Sequence, residues 1–180
     1  MKTTEEYEID MKELYKYAGY DESDTSISWQ INSINREGNA CYSYGTIMSI
    51  SLISGDTTKT FLIDLAKVET SENEWGSEIK VLTEEAVLAQ GEYIQLSDET
   101  YWLYSADGKW GYIDHEGNVV ATFDDASSFT NGKAMVITDG QAHFIDEELN
   151  VSEESMPADS VSTIGEIYQV ICGEEWQLVQ

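Results

Sequence analysis

From about residue 91 the sequence is a string of short alternating runs cut by glycine-bearing turns, a spacing that leaves room for little besides β hairpins. "EYIQL" is followed by "SDET", "YWLYS" by "ADGK", "WGYID" by "HEGN", and "VVATF" by "DDASSFTNGK". "AMVIT" then leads into "DGQ" and "AHFID" into "EELN". The string also repeats itself. "GKWGYIDHEGNVV" from Gly108 aligns with "GQAHFIDEELNVS" from Gly140, about 32 residues later, the repeat length of a stacked array. Between them "NGKAMVITDG" finds a looser match in "IGEIYQVICG", and "GEEWQLV" from Gly173 opens a third unit with Trp176 one residue out of phase.

Each distinctive residue of the unit has a structural task. Asp107-Gly108 suits a tight hairpin that needs positive backbone dihedrals. Trp110, Tyr112 and Val119 would share one side, and Gly111 admits a neighbouring backbone or ring. Asp114 ends the strand and Gly117-Asn118 turns the chain again. A unit of this kind exposes an apolar face that only its neighbours can cover.

The pattern resembles the WG repeat family over residues 91–179. Lys109, Trp110, Gly111, Tyr112, Ile113, Asp114, Gly117, Asp124, Ala126, Phe129 and Gly132 carry it in one strong unit. The second unit departs from it, with Ala142 and His143 in place of the Trp-Gly pair and Leu149 in place of the turn glycine. The resemblance implies a β-rich repeat scaffold, often multiplied in bacterial proteins, with no general catalytic residue and no specific ligand. The residues expected to build it are Gly108, Trp110, Gly111, Tyr112, Asp114, Gly117, Gly132, Gly140, Phe144 and Asp146.

The first half reads differently. Thr3 and Glu6 have capping-box spacing, Tyr7, Met11, Leu14, Tyr15 and Ala18 recur at helical intervals, and Gly19 is placed to end the helix. "DESD" at 21–24 reads as an acidic linker without the spacing of a calcium loop. The period then becomes two. Ile27, Trp29 and Ile31 alternate with polar residues, a long strand places Tyr42, Tyr44, Thr46, Met48, Ile50 and Leu52 on one face, and "TFLIDLAKVE" follows a turn at 54–59. Residues 70–78 read as a polar loop and 79–90 as a strand and a turn. The expectation is a mainly β protein of antiparallel meanders and hairpins. Residues 1–90 carry one amphipathic helix packed on a sheet with Trp29 and Tyr44, and residues 91–180 form the repeat region.

Charge narrows the partners. Nine Lys and Arg face 35 Asp and Glu, a formal net charge of −26, with Arg36 the sole arginine. Such a chain repels phosphate backbones and anionic membranes, which argues against nucleic acid and membrane, and it attracts basic proteins. An acidic residue follows Lys2 within a few positions where a leader needs an apolar run, so the expectation is a cytoplasmic chain, or an extracellular one if a leader has been removed. Cys41 and Cys172 form no metal spacing and are expected to be reduced and partly buried.

Catalytic patterns are scarce. His115 sits in a turn between two carboxylates, His143 stands at a repeat glycine, and no phosphate loop, nucleophile elbow or zinc-protease motif occurs. Neither a cofactor nor a metal is expected, nor enzymatic activity. The reading is a protein-binding module with an acidic β surface for a basic partner, one form of which is an immunity or antitoxin-type inhibitor. The alternative is a ligand-binding repeat domain of a bacterial cell-envelope or surface protein. Candidate partner contacts are Asp21, Glu22 and Asp24 in the linker and Asp124, Asp125, Glu147 and Glu148 in turns. Tyr101 and Trp102 are candidates as an aromatic platform, although strand alternation more readily makes Trp102 and Tyr104, or Tyr101 and Leu103, core.

Overall fold

The computed structural model describes residues 11–33, 47–72, 74–76 and 78–180. Its contacts divide the chain into residues 1–90 and 91–180. The protein is mainly β, with antiparallel sheets and, among the described residues, one short α-helix.

In the first unit α1 (Met11–Ala18) is followed by β1 (Ser28–Ser33), β2 (Ile47–Ser54), β3 (Thr57–Asp64), β4 (Glu69–Glu72), β5 (Glu78–Val81) and β6 (Val87–Gly91). The main sheet runs β1-β2-β3-β6, and β4 pairs with β5 in a separate ribbon. The helix lays Leu14 and Ala18 on the sheet, where they share one core with Met48, Ile50, Leu52, Phe61 and Ile63. Gly19 ends it with φ +72, and the Lys59 ammonium donates to the carbonyl of Ala18 near the negative end of the helix dipole. The expected cap at Thr3 and Glu6, and Tyr7, Tyr42, Tyr44 and Thr46, lie outside the described residues.

The sheet under the helix contains Trp29 in β1, as expected, with the Trp29 side chain 52% exposed. Ser49 and Ser51, on the face of β2 opposite Ile50 and Leu52, are buried as well, and the Ser51 hydroxyl lies 2.8 Å from that of Thr60. Two expectations for this unit need correction. The strand expected over 60–69 stops at Asp64, whose carboxylate accepts from Ala66 N at 3.0 Å and starts a single 3-10 turn over Leu65–Lys67. The polar loop expected at 70–78 includes parts of β4 and β5. Every residue of β4 is exposed, so no burial imposes the alternation by which a strand is read.

The second unit contains one sheet for each repeat. β7 (Tyr93–Gln95), β8 (Trp102–Ala106), β9 (Lys109–Ile113) and β10 (Val119–Phe123) make the first. β11 (Asp125–Ala126), β12 (Lys133–Thr138), β13 (Gln141–Asp146) and β14 (Val151–Pro157) make the second. β15 (Ser160–Ile164), β16 (Ile167–Cys172) and β17 (Glu175–Val179) make the third. The sheets stack. Leu103 and Tyr112 of the first pack with Ala134, Val136 and Ile145 of the second. The other face of the second, with Met135, Ile137 and Ala142, packs with Val161, Tyr168 and Val170 of the third. Side-chain alternation on β12 thus supplies both neighbours of the middle sheet.

The register shows how the third repeat comes back into phase. Ser105 faces Trp110, Ile137 faces Ala142 and Ile171 faces Trp176. The carbonyls of Ser105, Ile137 and Ile171 accept from Glu92 N, Asp124 N and Asp159 N at 2.7, 2.9 and 2.7 Å, one equivalent bond per unit. The first two hairpins turn at Asp107-Gly108 and Asp139-Gly140, with both residues at positive φ. The third turns at Gly173-Glu174, where only the glycine is positive. The change of turn type moves the glycine one place earlier and leaves Trp176 in the position of Trp110.

Candidate partner-binding surface

The turn after the second hairpin strand is the same in both full repeats. In the first, Asp114 Oδ1 accepts from Glu116 N at 3.0 Å and Asn118 N at 2.8 Å, and Oδ2 accepts from Asn118 Nδ2 at 2.9 Å. In the second, Asp146 takes Glu148 N, Asn150 N and Asn150 Nδ2 at 3.0, 2.9 and 3.0 Å. Partial burial would raise the pKa of Asp114, but the bonds from Asn118, Glu116 and Gly117 outweigh it and hold the carboxyl below its ordinary value. Asp146 is lowered chiefly by Asn150. Gly117 has φ +87 at the tip, and Leu149 takes the same place at +63. The aspartate cage therefore imposes the left-handed residue even without glycine.

These turns present acidic side chains at one end of the sheets. A shallow, open cleft of about 480 Å³ is lined by Asp98, Glu99, Thr100, Tyr101, Asp114, His115 and Glu116. His115 stacks on Trp102 with ring centroids 4.4 Å apart, and its Nε2–H donates to the carbonyl of Glu99 at 3.2 Å. The histidine therefore ties the turn to the loop before β8. The Thr100 hydroxyl donates to Glu147, and Glu99 accepts from Asn131 N at 3.3 Å, so the second repeat contributes to the rim. None of the lining side chains is Lys or Arg, and after residue 90 the chain has only Lys109 and Lys133. Lys109 is paired with Asp124. Among the described residues no three His, Cys, Asp or Glu side chains converge as a metal site.

The expected contact residues scatter across these settings. Tyr101 lines the cleft, Glu147 adjoins it, and Glu148 is exposed in the neighbouring turn. Asp21, Glu22 and Asp24 lie in the other unit, after α1. Asp21 accepts from Ser23 and Asp24 from Ser26, which lowers the pKa of both, and Glu22 reaches Lys16 at 3.4 Å. Asp124 is a structural cap, holding Asp139 N at 2.9 Å as well as Lys109. Asp125 is half-buried and accepts from Val161 N at 2.9 Å, which ties the second repeat to the third. Burial raises its pKa despite those bonds.

Trp102 is fully buried, with its indole N–H on the Ser97 carbonyl at 3.1 Å, so the exposed aromatic pair does not form. Tyr101 instead packs its ring on Phe129 with centroids 5.7 Å apart. Cys172 is free and exposed, correcting the expectation of burial, while Cys41 lies outside the described residues. Asp98, Glu99 and Glu116 were not singled out by sequence. Their only signal was that "SDET" and "HEGN" both interrupt strands, and nothing local says that two such turns meet.

Val119, expected on the side of Trp110 and Tyr112, instead faces Ile113 and is exposed, because the bulge in β10 shifts the register there. Tyr112 is fully buried and donates from its hydroxyl to the Ser127 carbonyl at 2.9 Å. Trp110 is half-buried against Tyr93 at 5.5 Å between centroids. A Cβ on Gly111 would meet the Ala121 carbonyl oxygen at 2.0 Å. His143 stands at the equivalent place, and there the return strand bulges. Residues 143 and 145 face 155 and 151, where 111 and 113 face 122 and 119. His143 Nδ1 and the Ser152 carbonyl lie 3.0 Å apart across that bulge. Gly132 has φ +76, Gly108 +70 and Gly140 +72 in tight turns, and Phe144 meets Tyr168 edge to face at 5.5 Å.

Residues 110–141 match the family model described as WG containing repeat, a single unit. No curated protein matches the chain. No helix among the described residues is long and apolar enough to cross a membrane.

Proposed function

We propose that the chain is a non-catalytic protein-binding module whose acidic cleft receives Lys and Arg side chains of a basic protein. The observation behind this reading is the cleft itself, where Asp98, Glu99, Asp114 and Glu116 gather around His115 with no Lys or Arg among the lining residues. Asp114 is held ionised by its turn, so its charge is in place before a partner arrives. Exposed ion pairs contribute only about 0.2–1 kcal/mol each, so the carboxylates would steer and orient, and Tyr101 would add contact area. An immunity or antitoxin-type inhibitor covering a basic enzyme is one form of this function. The net charge of −26 favours rapid, salt-sensitive encounter with such a partner.

The test is parallel affinity capture from native cells with the wild-type chain and the variant Asp98→Asn/Glu99→Gln/Glu116→Gln. The expected catch is a basic protein retained only by the wild type. With that protein purified, association should slow about tenfold between low and high salt, and the variant should show a much smaller dependence. If the captured protein is an enzyme, inhibition of its activity tests the immunity form. Equal retention by both chains refutes the cleft. Retention of a surface glycan instead supports the cell-envelope alternative.

A further inference from the structure

The first unit carries an arm. Among the described residues β4 and β5 pair only with each other, in unbroken register from Glu69 opposite Val81 to Glu72 opposite Glu78. Every residue of β4 is exposed, and alternate residues of a strand point to opposite faces, so both faces of β4 meet solvent. The ribbon therefore stands off the core instead of lying on it. An isolated two-stranded ribbon is marginal in water, so such an arm has to be held at its base. The base is rooted. Leu82 and Ala86 are core residues, and Val68 packs on the same cluster. The Thr83 hydroxyl donates to the Lys67 carbonyl at 3.1 Å and accepts from Ala86 N at 3.2 Å, which clasps the two legs where they leave the core.

The tip presents an aromatic ring. Trp75 lies in the turn between β4 and β5 and is 83% exposed, the most exposed large apolar side chain among the described residues. At that exposure little of the ring's burial free energy goes to the fold. The charge around it is one-sided. The ribbon has Glu69, Glu72, Glu74 and Glu78 against one basic residue, Lys80. Its register sets Glu72 opposite Glu78, and opposed like charges destabilise a ribbon. A cation at the tip removes that cost, and the electron-rich face of an indole attracts it as well. An apolar pocket would take the ring but strip water from the glutamates without replacing it, which is costly. A cationic side chain satisfies both.

We propose that the β4–β5 ribbon is a docking arm for a basic protein, with an arginine or lysine side chain of that protein stacked on Trp75 and drawn in by Glu72 and Glu74. The proposal rests on the reading of the chain as a module for a basic partner, and it adds to the cleft a contact in the other unit. The arm also has a selectivity that carboxylates alone lack. A guanidinium is planar, stacks on aromatic faces and is less strongly hydrated than an ammonium, so arginine binds the ring better than lysine does. Acidic segments are repelled. Because the ring stands clear of the core, changing it leaves the fold intact.

The experiment is heteronuclear NMR of the full chain in about 150 mM salt, which screens long-range attraction. The probes are a short peptide alternating arginine and glycine and its counterparts with lysine or glutamate in place of arginine. The indole N–H resonance of Trp75, assigned by its loss in Trp75→Phe, should shift and saturate with the arginine peptide. It should respond less to the lysine peptide and not at all to the glutamate peptide. Trp75→Leu keeps apolar area without a ring and should weaken binding, read at the amides of Glu74 and Gly76, by about fivefold, with Trp75→Phe losing less. Glu72→Gln/Glu74→Gln should weaken it by about fivefold as well. Circular dichroism confirms folding, and if a Trp75 variant does not fold, the glutamate variant decides alone. A Trp75 resonance that does not move, shifts scattered over the acidic surface without saturation at Trp75, or undiminished binding by Trp75→Leu or by Glu72→Gln/Glu74→Gln overturns the proposal. Asp98→Asn/Glu99→Gln/Glu116→Gln leaves the ribbon untouched. It should lose the shifts of the cleft and keep those of Trp75, so the arm and the cleft are judged separately.

Discussion

Gly111→Ala tests why the Trp-Gly pair has its glycine. The added Cβ would lie 2.0 Å from the Ala121 carbonyl oxygen and 2.9 Å from the Thr122 Cα, both backbone atoms. Reaching ordinary contact means moving β10 away by about 1.4 Å, which well-packed interiors resist. A shift of that size takes N–H···O bonds of about 2.9 Å beyond useful length. The affected pairs are Gly111 with Thr122 and Tyr112 with Ala121. Two weakened ladder bonds at about 1 kcal/mol each, together with about 1–3 kcal/mol of overpacking, give a loss of about 3–4 kcal/mol. Detachment of β10 is no easier, since Ala121 and Phe123 pack on the core shared with the second sheet. His143→Ala, at the equivalent position beside the bulged strand, should cost only about 1 kcal/mol, for one polar contact with the Ser152 carbonyl. Urea unfolding of the two variants, followed by tryptophan fluorescence, measures both. A loss below about 1 kcal/mol for Gly111→Ala, or equal losses at the two sites, refutes close strand approach as the reason for the glycine.

Tyr112→Phe removes the donor to the Ser127 carbonyl inside the core and should lower stability by about 1–2 kcal/mol in the same assay, with no change in circular dichroism. Gly117→Ala places a Cβ at φ +87 and should cost about 1 kcal/mol by the same measure. For Asp146→Asn the pH dependence is the readout. The folded pKa of Asp146 is depressed, so its contribution is present above the unfolded value of about 3.9 and is lost as pH falls through the folded value. The difference in melting temperature between wild type and variant should therefore be constant from about pH 7 to 5 and close as pH falls below about 3.5.

Much of the repeat region was legible because its signals are local. Positive φ at Gly108, Gly140 and Gly132 is written into Asp-Gly and Asn-Gly, and an alternating run between such turns can do little but form a hairpin. Even the space demanded at Gly111 was readable as a close approach, although not which backbone approaches. The edges of elements in the first unit were less legible, since β4 is exposed on both faces and Asp64 ends β3 by a side-chain cap rather than by a change of period.

The amino-acid order by itself determined the turn positions, the β class, the repeat and the acidic balance, because each depends on a residue and its near neighbours. Tertiary structure alone decided which carboxylates cap the backbone of neighbouring strands and which line the acidic surface. Asp124 and Asp125 look like free turn residues in sequence, yet one caps a hairpin and the other binds Val161 N, while Asp98, Glu99 and Glu116 converge on the cleft. It also decided that Trp102 is core and Trp176 is exposed, two tryptophans with similar alternating surroundings. The physical reason is that burial of a strand face depends on whether another sheet covers it, and a strand does not encode what stacks on it.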